Sequence, residues 1–366
     1  MENTDNVKNA LKTAKNIVMS IKSNPDTDTL GAALAVFFAL KNIGKTPLIH
    51  PLSEPSPAND LNDILNKEGQ EKLLLSYRGD ISEIFYEKLR DEANIYLTPK
   101  HSPIKDDSYI CRLIQNGERI GEHDLEPFDL LLTLGIDNYD EIESAFAKDP
   151  ESLFHCDILN IDNNPANPNY GDINIIESYP CLSQTVACLI SDLGKNFLDK
   201  KVCDALLLGL FSSPRNADDK KTIPTMKWLI QNGGDLSLFL AQSGEKMSSK
   251  NKLLEKVLTK LDTGKQSETL IGLIANRDFA ESGATSKELG FVAERLKGFF
   301  RVPNFLLLWE NNGQPAIRGL VYSEDKNVIR NLKSEFRGEF KENGGILLIP
   351  ANDLEEAKTK ITLFLP

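Results

Sequence analysis

The sequence has few features of membrane, secreted or zinc-binding proteins. It contains no stretch of about 18 apolar residues, so no segment is predicted to span a membrane. Residues 1–9 are polar and acidic, unlike the basic start and apolar core of a secretion signal. The 5 cysteines form no C-x-x-C pair, which favours reduced thiols over zinc ligation or disulfides. We therefore expect a cytoplasmic protein with no membrane association.

Histidine is also scarce, with 4 in 366 residues, and the net charge is −12. Such a charge argues against broad coating with nucleic acid, because neutralising phosphates requires clustered cations. It leaves open a small local basic site. Apolar residues make up 40% and charged residues 26% of the chain, as in ordinary globular proteins. A chain of 366 residues is long for one hydrophobic core, so we expect two domains.

The first part of the chain predicts a parallel β-α-β unit. Residues 16–23 (NIVMSIKS) have the composition of a strand, the run from Gly31 (GAALAVFFALKNIG) that of a buried helix, and residues 46–50 that of a second strand. Residues 52–125 mix polar turns with short apolar runs and prolines, which indicates an insertion. This part is therefore predicted to be an α/β domain with an elaborated connection.

Two later apolar segments, residues 129–137 and 157–162, are typical of parallel strands covered on both faces. The polar, lysine-rich stretch at residues 241–252 resembles a linker, and alternating strand and helix patterns follow it. We predict an α/β fold in which a parallel-sheet domain, residues 1–245, precedes a smaller mixed α/β domain, residues 255–366.

Aspartates follow three of the predicted strands: Asp26 and Asp28 the first, Asp137 the second, and Asp162 the third. Ligands of open parallel sheets bind beyond the carboxyl ends of the strands, so these acids are candidates for one site. Converging carboxylates need cations, and oxygen ligands suit Mg²⁺ or Mn²⁺. Gly31 is expected to open the following helix, where a phosphate could approach the backbone.

Five segments together resemble DHH phosphoesterases. NPDTDTLGAALAVFFAL resembles the first motif of the family, GIDN the second, and NIDNNPANPNYGDINII the third, D-H-H-P-x-N. Near the carboxyl terminus, ENNGQPAIRGLVYS and FRGEFKENGG look like the accessory DHHA1 domain. The resemblance is nearest to the oligoribonuclease and pAp-phosphatase branch, and more distant to RecJ and family II pyrophosphatases.

The resemblance implies a two-metal phosphoesterase, usually dependent on Mn²⁺, in which the two metals hold a bridging hydroxide. Asp26, Asp28, Asp137 and Asp162 would supply the carboxylates. The resemblance places Gly31 of the first domain on the side of the phosphate or substrate. In the second domain, it places Arg318, Gly344 and Gly345 there. The glycine pair is equally compatible with a tight turn.

The departures from the family pattern fall on the residues that its chemistry needs. Lys22 stands in the place of the first histidine ligand, and Asn163 and Asn164 replace the histidine pair after Asp162. Ser213, or its neighbour, occupies the place of an aspartate. A lysine ammonium does not ligate Mn²⁺ at neutral pH, and asparagine is a weak ligand that cannot act as a general acid.

Lys22 suggests a specific hypothesis. Its ammonium could replace a metal as the counter-charge of the acids, which would then be structural and held by ion pairs and backbone amides. The alternative is that the Lys22 side chain extends to solvent.

Two functions remain open from the sequence, so whether the chain is an enzyme is undecided. In the first, the chain is catalytically degenerate and binds a nucleotide, a short single-stranded oligonucleotide or a protein partner in the cleft between its domains, with no cofactor expected. In the second, it is an active phosphodiesterase or phosphatase that uses Mn²⁺ or Mg²⁺ and acts on short oligonucleotides or nucleoside phosphates. A homodimer is compatible with either function.

Overall fold

The structure is a computed structural model of the chain. It describes residues 4–51, 74–77, 81–88, 93–99, 109–115, 118–120, 128–147, 150–212, 215–216, 222–242, 246–263, 269–310 and 316–365. Ser213, one of the predicted site positions, lies outside these residues. Packing divides the chain into two compact units, of which the larger contains Met1–Ser53 with Phe128–Pro366 and the smaller contains Glu54–Pro127. The smaller unit coincides approximately with the predicted insertion. The division into domains at residues 245 and 255 stays a prediction.

The strands of the larger unit are numbered in chain order together with those of the smaller unit. They are β1 (Ile17–Ile21), β2 (Leu48–Pro51), β3 (Leu74–Tyr77), β4 (Ile81–Lys88), β5 (Ala93–Pro99), β6 (Tyr109–Gln115), β7 (Glu118–Ile120), β8 (Leu130–Leu134), β9 (Asp157–Asp162), β10 (Ile173–Ile176), β11 (Arg215–Asn216), β12 (Asp262–Thr263), β13 (Thr269–Ile274), β14 (Phe300–Arg301), β15 (Asn304–Glu310), β16 (Ile317–Ser323), β17 (Arg337–Lys341) and β18 (Gly344–Ile349).

The described helices all belong to the larger unit. They are α1 (Thr4–Thr13), α2 (Thr27–Asn42), α3 (Tyr139–Ala145), α4 (Glu151–Phe154), α5 (Leu182–Leu193), α6 (Lys200–Ser212), α7 (Thr222–Gln231), α8 (Ser237–Gln242), α9 (Ser249–Thr259), α10 (Asn276–Ser282), α11 (Leu289–Phe299), α12 (Lys326–Glu335) and α13 (Leu354–Thr362). None of them has the length and the apolar surface needed to cross a lipid bilayer.

The first sheet is parallel throughout and has the spatial order β10-β9-β8-β1-β2. All residues of β1 and β8 are buried, which explains why these strands are nearly continuous apolar runs. The chain passes from β1 to β2 on one side and then returns to β8 on the other side. The direction of strand addition therefore reverses between β1 and β8, and the carboxyl ends of these two strands form the topological switch point.

Helix α2 is apolar on nearly every face because it packs against α5 and α6. The helix begins at Thr27, so the expectation that Gly31 opens it was wrong. Asp26 caps the helix five residues before Gly31, and a side chain at Gly31 would lie 2.7 Å from backbone atoms of both Ala205 and Gly209. Gly31 therefore allows α2 and α6 to approach each other closely.

The second sheet is mixed and has the order β12-β13-β15-β16-β18-β17. Its buried core lies between one face of the sheet and two helices, α12 and α13, and includes Leu306, Leu332, Leu347 and Ile361. The predicted α/β fold, a parallel sheet followed by a smaller mixed α/β region, is confirmed.

The prediction of a linker at residues 241–252 was wrong in part. Residues 241–242 end α8, and α9 begins at Ser249. Two of the three lysines of this stretch, Lys250 and Lys252, lie on α9, whose other face is apolar and buries Leu253, Leu254 and Val257. In the sequence, the polar residues of one face of α9 were therefore interpreted as part of a linker.

Candidate functional site

The candidate site is the carboxyl edge of the first sheet, which we define as residues 22–28, 135–138 and 162–167. These segments follow β1, β8 and β9 respectively, so parallel pairing brings them to the same edge at the switch point. The main-chain N–H of Lys22 donates to Leu134 O at 3.2 Å, and Gly135 N–H donates to Ile161 O at 3.0 Å. The ends of the three strands are thus tied to one another by the backbone.

Lys22 and Asp26 form an ion pair on this edge. The Nζ atom of Lys22 lies 3.1 Å from Oδ2 of Asp26, and 34% and 63% of the two side chains are exposed. The other oxygen of Asp26 accepts hydrogen bonds from the backbone N–H and the hydroxyl of Thr29, both at 2.8 Å. Partial burial acts to raise the pKa of Asp26, but the hydrogen bonds from Thr29 and the charge of Lys22 outweigh it, and the pKa lies below its ordinary value.

Asp28 faces a helix end rather than the other acids. Its side chain is 8% exposed, and its two oxygens accept hydrogen bonds from the backbone N–H groups of Leu182 at 2.7 Å and Ser183 at 3.0 Å. These are the first two residues of α5, whose amides have no partner within the helix. The hydroxyl of Ser183 donates back to the carbonyl oxygen of Asp28 at 3.0 Å. Asp28 thereby fastens α2 to the start of α5.

Asp162 is buried within the loop that follows β9. One of its oxygens accepts from the backbone N–H groups of Asn163 at 2.7 Å and Asn164 at 3.2 Å. The other oxygen accepts from the side-chain amide of Asn167 at 2.8 Å. Because Asp162 is only 3% exposed, three donors compensate its loss of hydration. Asp162 therefore organises the turn that in the resembled family carries the histidine pair.

Asp137 is exposed and has one side-chain hydrogen-bond partner among the described residues. Its Oδ2 accepts from the side-chain amide of Asn164 at 3.1 Å. The side-chain amide of Asn163 instead donates to the carbonyl oxygen of Tyr179 at 3.2 Å. The two asparagines, which stand where the resembled motif has its histidine pair, thus act as donors to oxygens of the protein, a role that neutral imidazole could fill at only one nitrogen.

A row of polar side chains beneath this edge was missed by the sequence reasoning. Ser20, Thr133, Asn160 and Asn174 are register partners on four neighbouring strands, β1, β8, β9 and β10. Asn160 is fully buried and donates to Oδ1 of Asn167 at 2.9 Å and of Asn174 at 3.1 Å.

Tyr170 closes this network. Its hydroxyl donates towards Thr133 Oγ1 at 2.9 Å and Ile136 O at 3.0 Å, and burial raises its pKa far above the ordinary value, so the hydroxyl stays protonated. The signal for this network was the density of asparagine and proline in NIDNNPANPNYGDIN, because asparagine side chains bond readily to nearby backbone.

The remaining predicted positions lie in the second sheet. Arg318 is on β16, and its register partner is Leu348 on β18, whereas Gly344 and Gly345 begin β18 directly after the turn from β17. A side chain at Gly345 would lie 2.6 Å from Glu339 O, and one at Gly344 would lie 2.5 Å from Val321 O. Both glycines therefore permit close strand pairing, which favours the tight-turn interpretation.

We tested whether the edge could hold the two metals that the resemblance implies. A two-metal centre needs several open carboxylate or imidazole ligands that converge on each ion. Among the residues that the structure describes, no group of three or more His, Cys, Asp or Glu side chains is placed to hold a metal ion. Asp28 and Asp162 direct their oxygens to amide donors, and Asp26 is paired with an ammonium. The donor set of the described edge does not fit a two-metal centre.

Comparison with known proteins gives remote structural likenesses. No family model and no curated protein matches the chain. An exopolyphosphatase-related protein of Bacteroides fragilis is similar at 16% identity and a TM-score of 0.42, over 100% of this chain and 95% of that protein. A Methanococcus jannaschii protein assigned as a family II inorganic pyrophosphatase is similar at 12% identity and a TM-score of 0.30, over 95% and 99% of the two chains.

RecJ of Thermus thermophilus, solved in complex with Mn²⁺, is similar at 11% identity and a TM-score of 0.24, over 99% of this chain and 54% of RecJ. Two of these names, RecJ and family II pyrophosphatase, are those to which the sequence motifs led. The likenesses are too remote to transfer an activity, a substrate or a metal to this chain.

Proposed function

We propose that this chain is a degenerate relative of DHH phosphoesterases that binds a ligand at the carboxyl edge of its first sheet and does not hydrolyse it. One observation carries the proposal. At the position where the family has its first histidine ligand, Lys22 places an ammonium 3.1 Å from the carboxylate of Asp26. A fixed positive charge at this point repels divalent cations and neutralises the acid that would bind them.

The other acids of the motifs support the same proposal. Asp28 and Asp162 together accept five hydrogen bonds, four from backbone amides and one from Asn167. Hydrogen bonds from amides satisfy the oxygens of a buried carboxylate without a metal. The acids are then retained because they fasten helix α5 and the turn after β9, and their roles do not require catalysis.

The charges of the edge favour a protein partner over the other two ligands expected from the resemblance, a nucleotide and a short single-stranded oligonucleotide. Asp26, Asp137 and Asp140 are exposed at or beside the edge, and Lys22 is the only cation in residues 22–28, 135–138 and 162–167. Phosphate groups would be repelled there unless cations accompanied them. Asn163, Asn164 and the exposed carboxylates offer polar groups to a partner that carries donors. Cytoplasmic location stays a prediction.

The second candidate is an active hydrolase with one metal ion, and the exposure of Asp137 is the observation in its favour. A carboxylate with one side-chain partner retains lone pairs for Mg²⁺, which accepts all-oxygen ligation and keeps several waters. In this candidate Asp137 and Asp26 would hold the ion, and Lys22 would have to move away from Asp26.

A hydrolysis assay separates the two candidates. The substrates are a 5′-phosphorylated trinucleotide and a nucleoside monophosphate, each with Mn²⁺ or Mg²⁺, and the variants are Asp137→Asn and Asp26→Asn. We expect no metal-dependent turnover in the wild type, and therefore no difference between the wild type and either variant.

The matched control is Glu335→Gln, which removes one exposed negative charge from α12 in the second half of the chain. Metal-dependent turnover that Asp137→Asn abolishes and Glu335→Gln preserves would refute the proposal and establish the second candidate. Turnover that all three variants share with the wild type would indicate a contaminating hydrolase. Repeating the assay after a further chromatographic step would remove such turnover.

A further inference from the structure

One face of the second sheet is only partly covered. We call it the bare face and define it by alternate residues of three neighbouring strands. It consists of Arg318, Leu320 and Tyr322 on β16, Gly344, Ile346 and Leu348 on β18, and Arg337, Glu339 and Lys341 on β17. Register partners in a sheet point to the same side, so these residues share one face. The opposite face is the one packed on α12 and α13.

Burial falls steadily across this face from the centre of the sheet to its edge. In one register row, Trp309 of β15 is 5% exposed, Arg318 is half-buried, Leu348 is 37% exposed and Arg337 is exposed. In the next row, Leu307 is buried and Ile346 is 46% exposed. Ile346 and Leu348 of β18 are exposed, and the half-buried Leu320 of β16 is the register partner of Ile346, so the three form one apolar surface of the kind found at binding sites.

Arg318 provides a second, independent observation. Its Nε atom is buried and has no hydrogen-bond partner among the described residues. An unsatisfied buried donor costs free energy, and a guanidinium donates most favourably to a carboxylate. The Nε–H of Arg318 therefore has no acceptor in the part of the chain that the structure describes, and Leu348 beside it is part of the apolar surface.

The charges around the apolar surface define the partner. The bare face carries three cations, Arg318, Arg337 and Lys341, and one acid, Glu339, although the whole chain has a net charge of −12. A local positive surface on an acidic protein attracts an acidic partner and gives the association its specificity. A second copy of this chain would bring the same cations together and is disfavoured.

A nucleic acid suits this face less well than a protein. The exposed anchors are aliphatic and offer no ring for base stacking. The one aromatic residue of the face, Tyr322, already has the ammonium of Lys297 3.8 Å from its ring centre. Glu339 lies among the cations on the outermost strand and would repel a phosphate backbone.

We propose that the bare face binds an acidic amphipathic helix of a partner protein. Helices already cover the opposite face of this sheet, and a helix is the element that completes such a layer. The apolar stripe of the partner would cover Leu320, Ile346 and Leu348, and its carboxylates would pair with Arg318, Arg337 and Lys341. This surface is independent of the function proposed for the carboxyl edge of the first sheet.

The proposal is tested with a fluorescent 14-residue peptide in which leucines follow helical spacing and the other positions are glutamate. We expect saturable binding in a fluorescence anisotropy titration. A scrambled peptide of the same composition and a peptide with lysine in place of glutamate should each bind about tenfold more weakly or worse.

Variants of the full chain locate the peptide. Leu348→Ser, Arg318→Gln and Arg337→Glu should each weaken binding about tenfold. The matched control is Lys333→Glu, which makes the same kind of charge reversal on α12, away from the bare face, and should bind normally. Arg337 is exposed, so its variant remains informative if the partly buried Arg318 variant does not fold.

Three results would overturn the proposal: no saturable binding of the acidic peptide, equal binding by the scrambled peptide, or equal weakening by Lys333→Glu. Displacement of the peptide by a trinucleotide in the wild type would favour a nucleic-acid ligand instead. Concentration-dependent dimerisation that Leu348→Ser removes, measured by sedimentation, would favour a second copy instead.

Discussion

Two Lys–Asp pairs with identical spacing lie in two different regions of this protein. Lys22–Asp26 lies on the carboxyl edge of the first sheet, with 63% of the Asp26 side chain exposed. Lys200–Asp204 lies in the first turn and a half of α6, and only 11% of the Asp204 side chain is exposed. We call this pair, together with Asp235 and Glu255 of α9, the junction. The pKa of Asp26 is lowered and that of Asp204 is raised. A neighbouring lysine therefore does not by itself decide the ionisation of an aspartate.

The difference comes from burial and from nearby acids. Burial is the main influence that raises the pKa of Asp204, and the negative charge of Asp235 adds to it, against the hydrogen bonds from Lys200 and from the backbone of Asp235. Lys200 also pairs with Asp235 at 2.6 Å, while Glu255 of α9 accepts from Leu236 N–H at 2.8 Å. This junction uses its lysine for structure, whereas the edge keeps its ion pair accessible to a ligand.

The largest effect is expected at the buried acid of the edge. Replacing Asp28 by alanine leaves the first two amides of α5 without an acceptor and should lower the free energy of unfolding by about 2–3 kcal/mol. Urea denaturation measures the change. Asp5→Ala, the same substitution in the first turn of α1, is the exposed control and should change it by less than about 0.5 kcal/mol. Equal effects would mean that Asp28 does not hold α5.

The next effect is expected at the junction. Lys200→Met leaves Asp204 and Asp235 close together without a cation and should cost about 2 kcal/mol, less than for a fully buried pair because Lys200 is half exposed. Lys252→Met, at an exposed position of α9, is the control. If the two substitutions shift the midpoint of urea denaturation equally, the junction does not depend on this lysine.

The pH dependence of stability should have opposite signs in the two regions. The lowered pKa of Asp26 stabilises the fold above the ordinary aspartate pKa of 3.8, and this contribution is lost as the pH falls further. The raised pKa values of Asp204 and Glu255 make the folded chain bind protons first, so their contribution becomes more favourable as the pH falls from neutral towards the ordinary carboxyl pKa.

Asp26→Asn and Asp204→Asn separate these contributions, because asparagine keeps an acceptor oxygen and does not titrate. Relative to the wild type, Asp26→Asn should lose less stability in strong acid, and Asp204→Asn should gain less on mild acidification. Denaturant midpoints at a series of pH values measure both slopes. For each variant, the quantity compared is the difference in stability between wild type and variant as a function of pH. If this difference changed with pH in the same direction for both variants, the comparison would be contradicted.

The smallest effect on stability is expected at the exposed pair. Lys22→Met should lower the free energy of unfolding by only about 0.5 kcal/mol or less, because exposed ion pairs contribute little. The same urea titrations provide the measurement, and Lys15→Met serves as an exposed control. A loss as large as that of Lys200→Met would show that Lys22 is a structural residue of the edge and not an accessible one.

The sequence predicted the strands and the edge because parallel buried strands are continuous apolar runs and their carboxyl ends must meet. It also suggested that Lys22 could be the counter-charge of the acids, and Asp26 now has that ammonium beside it. The direction of the Asp28 carboxylate was beyond such reasoning. It depends on where α5 begins, more than 150 residues later in the chain.

The packing of helices against one another was the second feature that the sequence did not predict. The sequence assigned Gly31 to a phosphate site, because a glycine after a strand often serves one, but its neighbours are the backbones of Ala205 and Gly209. The lysines near α9 suggested a linker for a similar reason, since composition alone does not reveal which helix face is solvated. Tertiary contacts decide both cases.

The most direct test of the central claim is a Mn²⁺ titration of the wild-type chain, followed by electron paramagnetic resonance of free and bound ion. If Lys22 and the amide donors replace the metals of the edge, the chain should bind no stoichiometric Mn²⁺, and Asp137→Asn should leave the titration unchanged. Two coupled Mn²⁺ ions per chain, lost in Asp137→Asn, would contradict this account.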